Sequence, residues 1–389
     1  MSLFVEYHLI QNFVPSNLNR DDTGAPKDAL FGGHRRARVS SQCFKRAIRL
    51  QADTAGAIAP EDRSVRTKKL FDLLTSKLKA MGHDDLPQAG QRIEVALSAA
   101  GLKLDDDGKT EYLLFLGERE IAGLAGLVHA RWDELAPPSV ADGKAKKSKK
   151  DAKADAPDDV KKAVRKLFDG GKALDVALFG RMLADMPEAN QHAACQVAHA
   201  ISTHRVEREF DYFTAVDDLG SADETGAGMI GQVEFNSATF YRYASLDANK
   251  LQSNLQGDRD LTLAGLRAFT QALALAIPSG KQNTFAANNK PSFIGVVLRH
   301  ASPFNLANAY EKPVWADRQQ TVTAQSVQAM AAQERQLATA YGDARDCWAF
   351  LDITDAWPQD LGERQASLAA LTDWVVSQVG SRLGATAGA

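Results

Sequence analysis

Cysteine is scarce in this 389-residue chain, with only Cys43, Cys195 and Cys347, an odd number set far apart. They form no CxxC pair, zinc ribbon or disulfide framework, which points to a reducing compartment. No run of residues approaches the ~20 consecutive apolar positions of a membrane span. The opening, MSLFVEYHLIQNF, carries Glu6 and no early basic cluster. It reads as a strand rather than a signal peptide, and the cytoplasm is the expected location. No GxGxxG occurs, and the Gly-Lys pairs at 171–172 and 280–281 lack the upstream glycine and following Ser/Thr of a P-loop. His192, His199 and His204 have no carboxylate spaced as in HExxH, and GxSxG is missing. Asp21, Asp22, Asp105, Asp106, Asp107, Asp217 and Asp218 read as turn and cap formers. The sequence implies no catalytic residue, metal or cofactor.

Apolar residues make up 44% and charged residues 24%, which excludes a mostly disordered chain, a collagen and a coiled coil. The length suits two or three domains or one elaborated domain. Net charge is −3, but the charge is unevenly placed. Between 20 and 49, Arg20, Lys27, Arg35, Arg36, Arg38, Lys45, Arg46 and Arg49 face only Asp21, Asp22 and Asp28, a net +5. Arginine among glycine, serine and glutamine suits phosphate better than a lysine-rich solubilising face does. Residues 207–234 carry eight acids and only Arg208, a net −7. The Lys/Ala/Asp-rich run 143–166 reads as a solvated loop, ordering into a helix near Val160.

Alternation over 3–11 predicts a half-buried strand with Glu6 and His8 outward. Residues 15–38 are loop-like, and Ser40 or Ser41 caps a helix through Arg49 on which Lys45 and Arg49 share a face. Residues 64–135 read as helical, with Leu70, Leu74, Leu78 and Met81 in one stripe and Ile121, Leu124, Val128 and Trp132 in another. Helices are also expected at 160–168, 190–202, 319–341 and 363–379, and strands at 233–246, 292–299 and 347–353. The order gives an α+β class with a helical insertion over 58–195.

Several stretches, taken in order, resemble the CasC family, the repeated backbone subunit of the type I-E CRISPR surveillance complex Cascade. They are residues 16–22 (SNLNRDD), 27–33 (KDALFGG), 35–42 (RRARVSSQ), 180–182 (GRM), 199–201 (HAI), 213–218 (FTAVDD), 240–244 (FYRYA) and 280–282 (GKQ). The resemblance spans residues 1 to roughly 315. It implies a modified RRM-like (ferredoxin-like) palm, helical fingers inserted at 58–195 and a thumb β-hairpin at 203–237; the palm is then expected over 1–57 and, with the C-terminal helices, 238–389, while composition alone gives the flexible Lys-rich loop at 139–159. Copies would stack along a guide RNA (crRNA) as a helical filament, each thumb interrupting guide–target pairing. By the same resemblance Arg20 and Lys27 line the guide channel, while Ser40, Gln42, Lys45, Arg46 and Arg49 grip the RNA backbone. Arg181 and Met182 come from the fingers, with Met182 wedging at a kinked nucleotide. Tyr212 and Phe213 fill the gap beside a displaced base, and Lys281 and Gln282 complete the palm. The family often has tryptophan at the place of Tyr212 and lysine at that of His34.

The implied partners are crRNA, the DNA strand paired to it, other copies of the chain, other Cascade subunits and a separately recruited helicase-nuclease; no membrane is implied. RNA held by shape and backbone needs cations on phosphates and no base code, since pairing reads the sequence. No RNP1-type pattern is present, so base stacking on the sheet is not expected. The chain is thus expected not to be an enzyme. The alternative is an RRM-like CRISPR endoribonuclease, for which His34 is the local candidate, or RNA cutting by a loop aspartate such as Asp21, Asp22 or Asp28. A third reading is an unrelated α+β binding protein with a basic patch. If the acidic hairpin of one copy meets the basic segment of the next, it would set filament polarity.

Overall fold

The computed structural model describes residues 2–136, 157–215 and 229–383. Residues 137–156 of the Lys-rich segment and Asp217 and Asp218 fall outside these residues. In chain order the elements are β1 (Phe4–Ser16), β2 (Asp28–Phe31), β3 (His34–Val39), α1 (Ser41–Thr54), β4 (Ser64–Thr67), α2 (Leu70–Ala80), α3 (Leu86–Ala99), β5 (Leu114–Gly117), α4 (Glu118–Ala130), α5 (Asp158–Leu167) and α6 (Leu174–Phe179). There follow β6 (Cys195–Val197), β7 (Ala200–Ser202), β8 (Glu209–Ala215), β9 (Met229–Asp247), α7 (Ala248–Asn254), α8 (Arg259–Leu275) and α9 (Gln282–Phe285). The chain ends with β10 (Phe293–Arg299), α10 (Val322–Tyr341), β11 (Cys347–Asp352), β12 (Glu363–Arg364) and α11 (Leu368–Leu383). Two compact units result: residues 1–57, 195–249 and 263–389, and residues 58–194 with 250–262. Residues 250–262, expected in the palm, belong to the second unit.

The first unit is α+β and is built on one sheet, ordered β12-β11-β10-β1-β9-β7-β3-β2 with β6 and β8 also on β9. Its core runs β1–α1–(β6, β7)–β9–α8–β10, with β1 antiparallel to both β10 and β9. That is the βαββαβ order of a ferredoxin-like fold, with the last strand beside the first. On one face Tyr7 meets Phe269 of α8 edge-on at 5.5 Å, and Arg242 lies 4.2 Å over the Phe44 ring of α1. On the other face Ile10, Tyr241, Tyr243, Phe293, Trp348 and Phe350 pack under Val327, Met330 and Ala331 of α10.

β1 is therefore buried on both faces, and the expectation of a half-buried strand with Glu6 and His8 in water is corrected: both are fully buried. Arg299 donates to Glu6 at 2.9 Å and to Glu334 of α10 at 2.7 Å, while the Tyr243 hydroxyl donates to Glu6 and the Trp348 indole to Glu334. The carboxylates are tolerated inside because each is paired and hydrogen-bonded.

In the second unit Leu70, Leu74 and Leu78 of α2 pack with Ile93 and Leu97 of α3, Ile121, Leu124 and Val128 of α4, and Val160 and Val164 of α5. Each fully buried leucine contributes roughly 2 kcal/mol. Met81, assigned to the same stripe, is 41% exposed because the helix ends at Ala80. The helical reading of 64–135 is broken by β4 and β5, which pair antiparallel, Ser64 opposite Gly117. That of 190–202 gives way to β6 and β7, which pair with β9. In both cases pairing with a distant strand overrides a short apolar period. The helix read at 363–379 begins later, at Leu368, after the two-residue strand β12. Among the described residues no helix is long and apolar enough to cross a membrane.

Candidate functional site

The 17–28 loop is held by its own short polar side chains. The Asn17 amide donates to the carbonyls of Gly24 at 3.0 Å and Glu234 at 2.9 Å. Asn19 Oδ1 accepts the Ser40 N–H at 2.8 Å, which fixes the entry to α1. Asp21 Oδ1 accepts from Thr23 Oγ1 and from the N–H groups of Thr23 and Ala25. The Thr23 hydroxyl, ahead of the backbone donors, holds this carboxyl below its ordinary range. The loop thus presents Arg20, which is exposed, at a rigid turn.

Ser40 caps α1, its Oγ accepting the Cys43 N–H at 3.3 Å. Phe44, Ile48 and Ala52 bury one stripe of the helix. Gln42 and Arg46 are exposed, one turn apart, and Lys45 and Arg49 flank them half-buried. Opposite lies the 278–281 loop. A Cβ on Gly280 would sit 2.3 Å from the Leu18 carbonyl oxygen, so only glycine lets this loop close on the 17–18 backbone. Lys281 follows with φ 51°.

These pieces border a cleft of about 500 Å3 lined by Leu18, Asn19, Arg20, Asp21, Asp22, Cys43, Ser279 and Gly280 among others. A second cleft, of about 180 Å3, also touches Cys43 and Ser279 and extends along Arg46, Leu50 and Pro278. Arg20, the exposed face of α1 and the turn bearing Lys281 are thereby gathered on one side of the first unit. Burial raises the Cys43 thiol, while Arg46 and Lys27 pull it the other way, a sign that both cations act on this region.

Three basic or polar candidates are placed differently. Arg181 is buried and cannot meet a ligand: its Nη1 donates to both Glu120 oxygens at 2.8 Å and to the Phe115 carbonyl, and Nη2 reaches the carbonyls of Phe168 and Ala189. This corrects the expectation that it is displayed on the fingers. Its neighbour Met182 is 80% exposed. Gln282 turns inward, its amide donating to the Pro278 carbonyl at 3.0 Å. Arg36, counted in the basic segment, is buried and donates to the carbonyls of Ser202, Tyr310 and Glu311. The aromatic face of the sheet is covered by α10, so stacking on it is closed off.

The hairpin expected at 203–237 exists as β8 paired with the first part of β9, Glu209 opposite Phe235. Tyr212 is 71% exposed and Phe213 41%. Phe213 lies opposite Gly231, where a Cβ would meet its ring at 2.2 Å, so the ring packs on the glycine. Arg208 ties the hairpin base to Asp28 at 2.9 Å and Glu234 at 3.1 Å, and Arg35 also pairs with Asp28. Neither this network nor Arg38 beside His199, Nη1 to Nδ1 at 2.9 Å, stood out in the sequence. The signal was the Arg35-Arg36 pair of β3, in which successive side chains leave opposite faces.

The model of the family described as CT1975-like protein matches residues 5–374. A solved chain from a "CRISPR RNA-guided surveillance complex, pre-nicking" is 29% identical with TM-score 0.83, over 97% of this chain and 100% of that one. A chain from a "CRISPR RNA-guided surveillance complex" is 24% identical with TM-score 0.73, over 96% and 99%. A search of curated proteins found no match. The match over nearly the whole length places this chain in the CT1975-like protein family.

Proposed function

We propose that the chain is a crRNA-binding backbone subunit of a type I-E CRISPR surveillance complex. In this reading it polymerises along the guide, presents it for pairing with invading DNA and does no chemistry itself. The first unit is the palm, the second the fingers, and the β8–β9 hairpin the thumb that interrupts guide–target pairing. The carrying observation is the pair of clefts: a fixed turn, a capped helix and a glycine-closed loop place Arg20, beside Asp21 and Asp22, on one and Arg46 on the other, with Cys43 and Ser279 common to both. Cations on a rigid groove suit an RNA backbone whose sequence is read elsewhere by pairing. The end-to-end likeness to a surveillance-complex chain supports the same reading. Other copies, other Cascade subunits, the target strand and a recruited helicase-nuclease are its partners.

The test is purification of a tagged chain from cells expressing a CRISPR array with the companion proteins. A large particle holding repeat-flanked RNA of uniform length is expected. An RNA-free monomer would overturn the assembly reading, and cleavage of added repeat RNA by that monomer would make it a processing nuclease instead.

A further inference from the structure

Around the hairpin base, the cations divide into two groups. Arg35 and Arg208 are neutralised by Asp28 and Glu234. Lys27 and Arg38, on the same β2–β3 hairpin, have no ion-pair partner among the described residues. They line one small hollow together with Asn19. Lys27 accepts the Arg38 N–H through its carbonyl at 2.9 Å, and its own N–H is held by Asn19, so the two backbones are locked together. Arg38 Nε donates to the Asp28 carbonyl at 3.1 Å, which holds its guanidinium across the hairpin, and Nη1 reaches His199 Nδ1 at 2.9 Å. β7 pairing with β3, Arg38 opposite Ile201, brings the exposed His199 ring alongside. With Nδ1 facing a guanidinium donor, the neutral ring carries its proton on Nε2 and offers it as a third donor.

We infer that Arg38 and His199, with Lys27, form a clamp for one backbone phosphate of a single-stranded RNA. The clamp rests on the RNA-binding reading above and adds Arg38 and His199 to it. Arg38 touches His199, and Lys27, which shares the hollow with Arg38, acts on the same ring; none of the three has a carboxylate partner among the described residues, which leaves the anion to come from outside.

The ring also makes the clamp sensitive to pH. Burial first, and then the positive charge of Arg38 and Lys27, hold His199 below the ordinary histidine value, so the free protein carries it neutral near pH 7. The charged groups about it are Arg38 and Lys27 from the hairpin; Asp28 beyond them is occupied by Arg35 and Arg208, and Lys45 of α1 acts on Cys195 in the adjacent strand. A phosphate offsets both neighbouring cations and raises the ring's affinity for a proton. Binding therefore takes up a proton, and affinity rises as pH falls from about 7.5 to about 6.

The experiment measures fluorescence anisotropy of a labelled mixed-sequence single-stranded RNA with the full chain, at both pH values across a potassium chloride series. His199→Gln should bind up to about tenfold more weakly near pH 6 and lose the pH dependence. Arg38→Ala should lower the salt slope by about 0.7, one phosphate contact on a single strand. His199→Gln with the wild-type affinity and pH profile, or Arg38→Ala with the wild-type slope, overturns the clamp. Arg38 also holds the hairpin, so if its alanine variant fails to fold, His199→Gln on the exposed ring decides alone. A folded wild type that binds no RNA at either pH overturns the RNA-binding reading itself. RNA binding lost in Arg20→Ala but indifferent to both clamp variants overturns the clamp only.

Discussion

Arg181 in the second unit and Arg46 in the first are both arginines that the family resemblance set on the RNA, and their fates are opposite. Arg181 is buried against Glu120, which itself accepts from the N–H groups of Gly117 and Gly170. Arg46 stands exposed on α1 beside a cleft. The fold supplies a carboxylate and three carbonyls to the first and leaves the second to solvent. An arginine inside a folded unit is a joint when the chain provides acceptors for all its donors, and a ligand group when it does not.

Removing the joint gives the largest expected effect. Arg181→Ala leaves the Glu120 carboxylate buried and unpaired, a loss of about 3–5 kcal/mol. Urea denaturation followed by circular dichroism measures it, and RNA affinity per folded molecule should stay at the wild-type value. An affinity loss with full stability would reverse the contrast and return Arg181 to the binding surface.

The cleft cations should behave the other way. Arg20→Ala and Arg46→Ala are each expected to cost about tenfold in RNA affinity and to reduce the salt slope by about 0.7, with stability within about 0.5 kcal/mol of wild type. Anisotropy against salt concentration, paired with thermal melts, reads both quantities. Wild-type affinity in both variants would favour an unrelated binding protein with a basic surface.

How much of this the sequence revealed depends on the range of the interactions. The α1 site is local: a serine cap and a four-residue spacing suffice to place Lys45 and Arg49 on one face. Arg181 and Met182 differ for a reason no local pattern carries. The chain leaves Gly180 at φ 77° in an extended run bridged to Gln191, so adjacent side chains point to opposite sides. Glu6 and His8 alternate like residues facing water, yet Arg299, nearly 300 positions away, meets Glu6 under the layer added by α10. The alternation is real, but the second face of the sheet is covered by a part of the chain that the resemblance did not reach.

On the hairpin the same contrast appears between neighbours. Tyr212→Ala removes an exposed ring and should weaken RNA binding by up to about tenfold, the worth of one stacked base, with little change in stability. Phe213→Ala also uncovers Gly231, so it should lower the melting temperature as well. Equal effects of the two on stability would mean that the packing on Gly231 contributes nothing.

Ser40 gives the smallest effect and the finest test, because it stands on both sides of the comparison. Its oxygen accepts the Cys43 N–H and the residue is buried, so a second role as donor to a phosphate has to be separated from the cap by experiment. Ser40→Ala should cost about 1 kcal/mol of stability, as the loss of a helix cap does. Ser40→Asp keeps the acceptor and should hold stability near wild type, but it sets a negative charge where phosphate is to lie. If Ser40→Asp is stable and binds RNA several-fold more weakly than Ser40→Ala, the cap and the contact are separate roles of one side chain. If the two variants bind RNA equally, Ser40 is a cap alone and belongs with Arg181 among the joints.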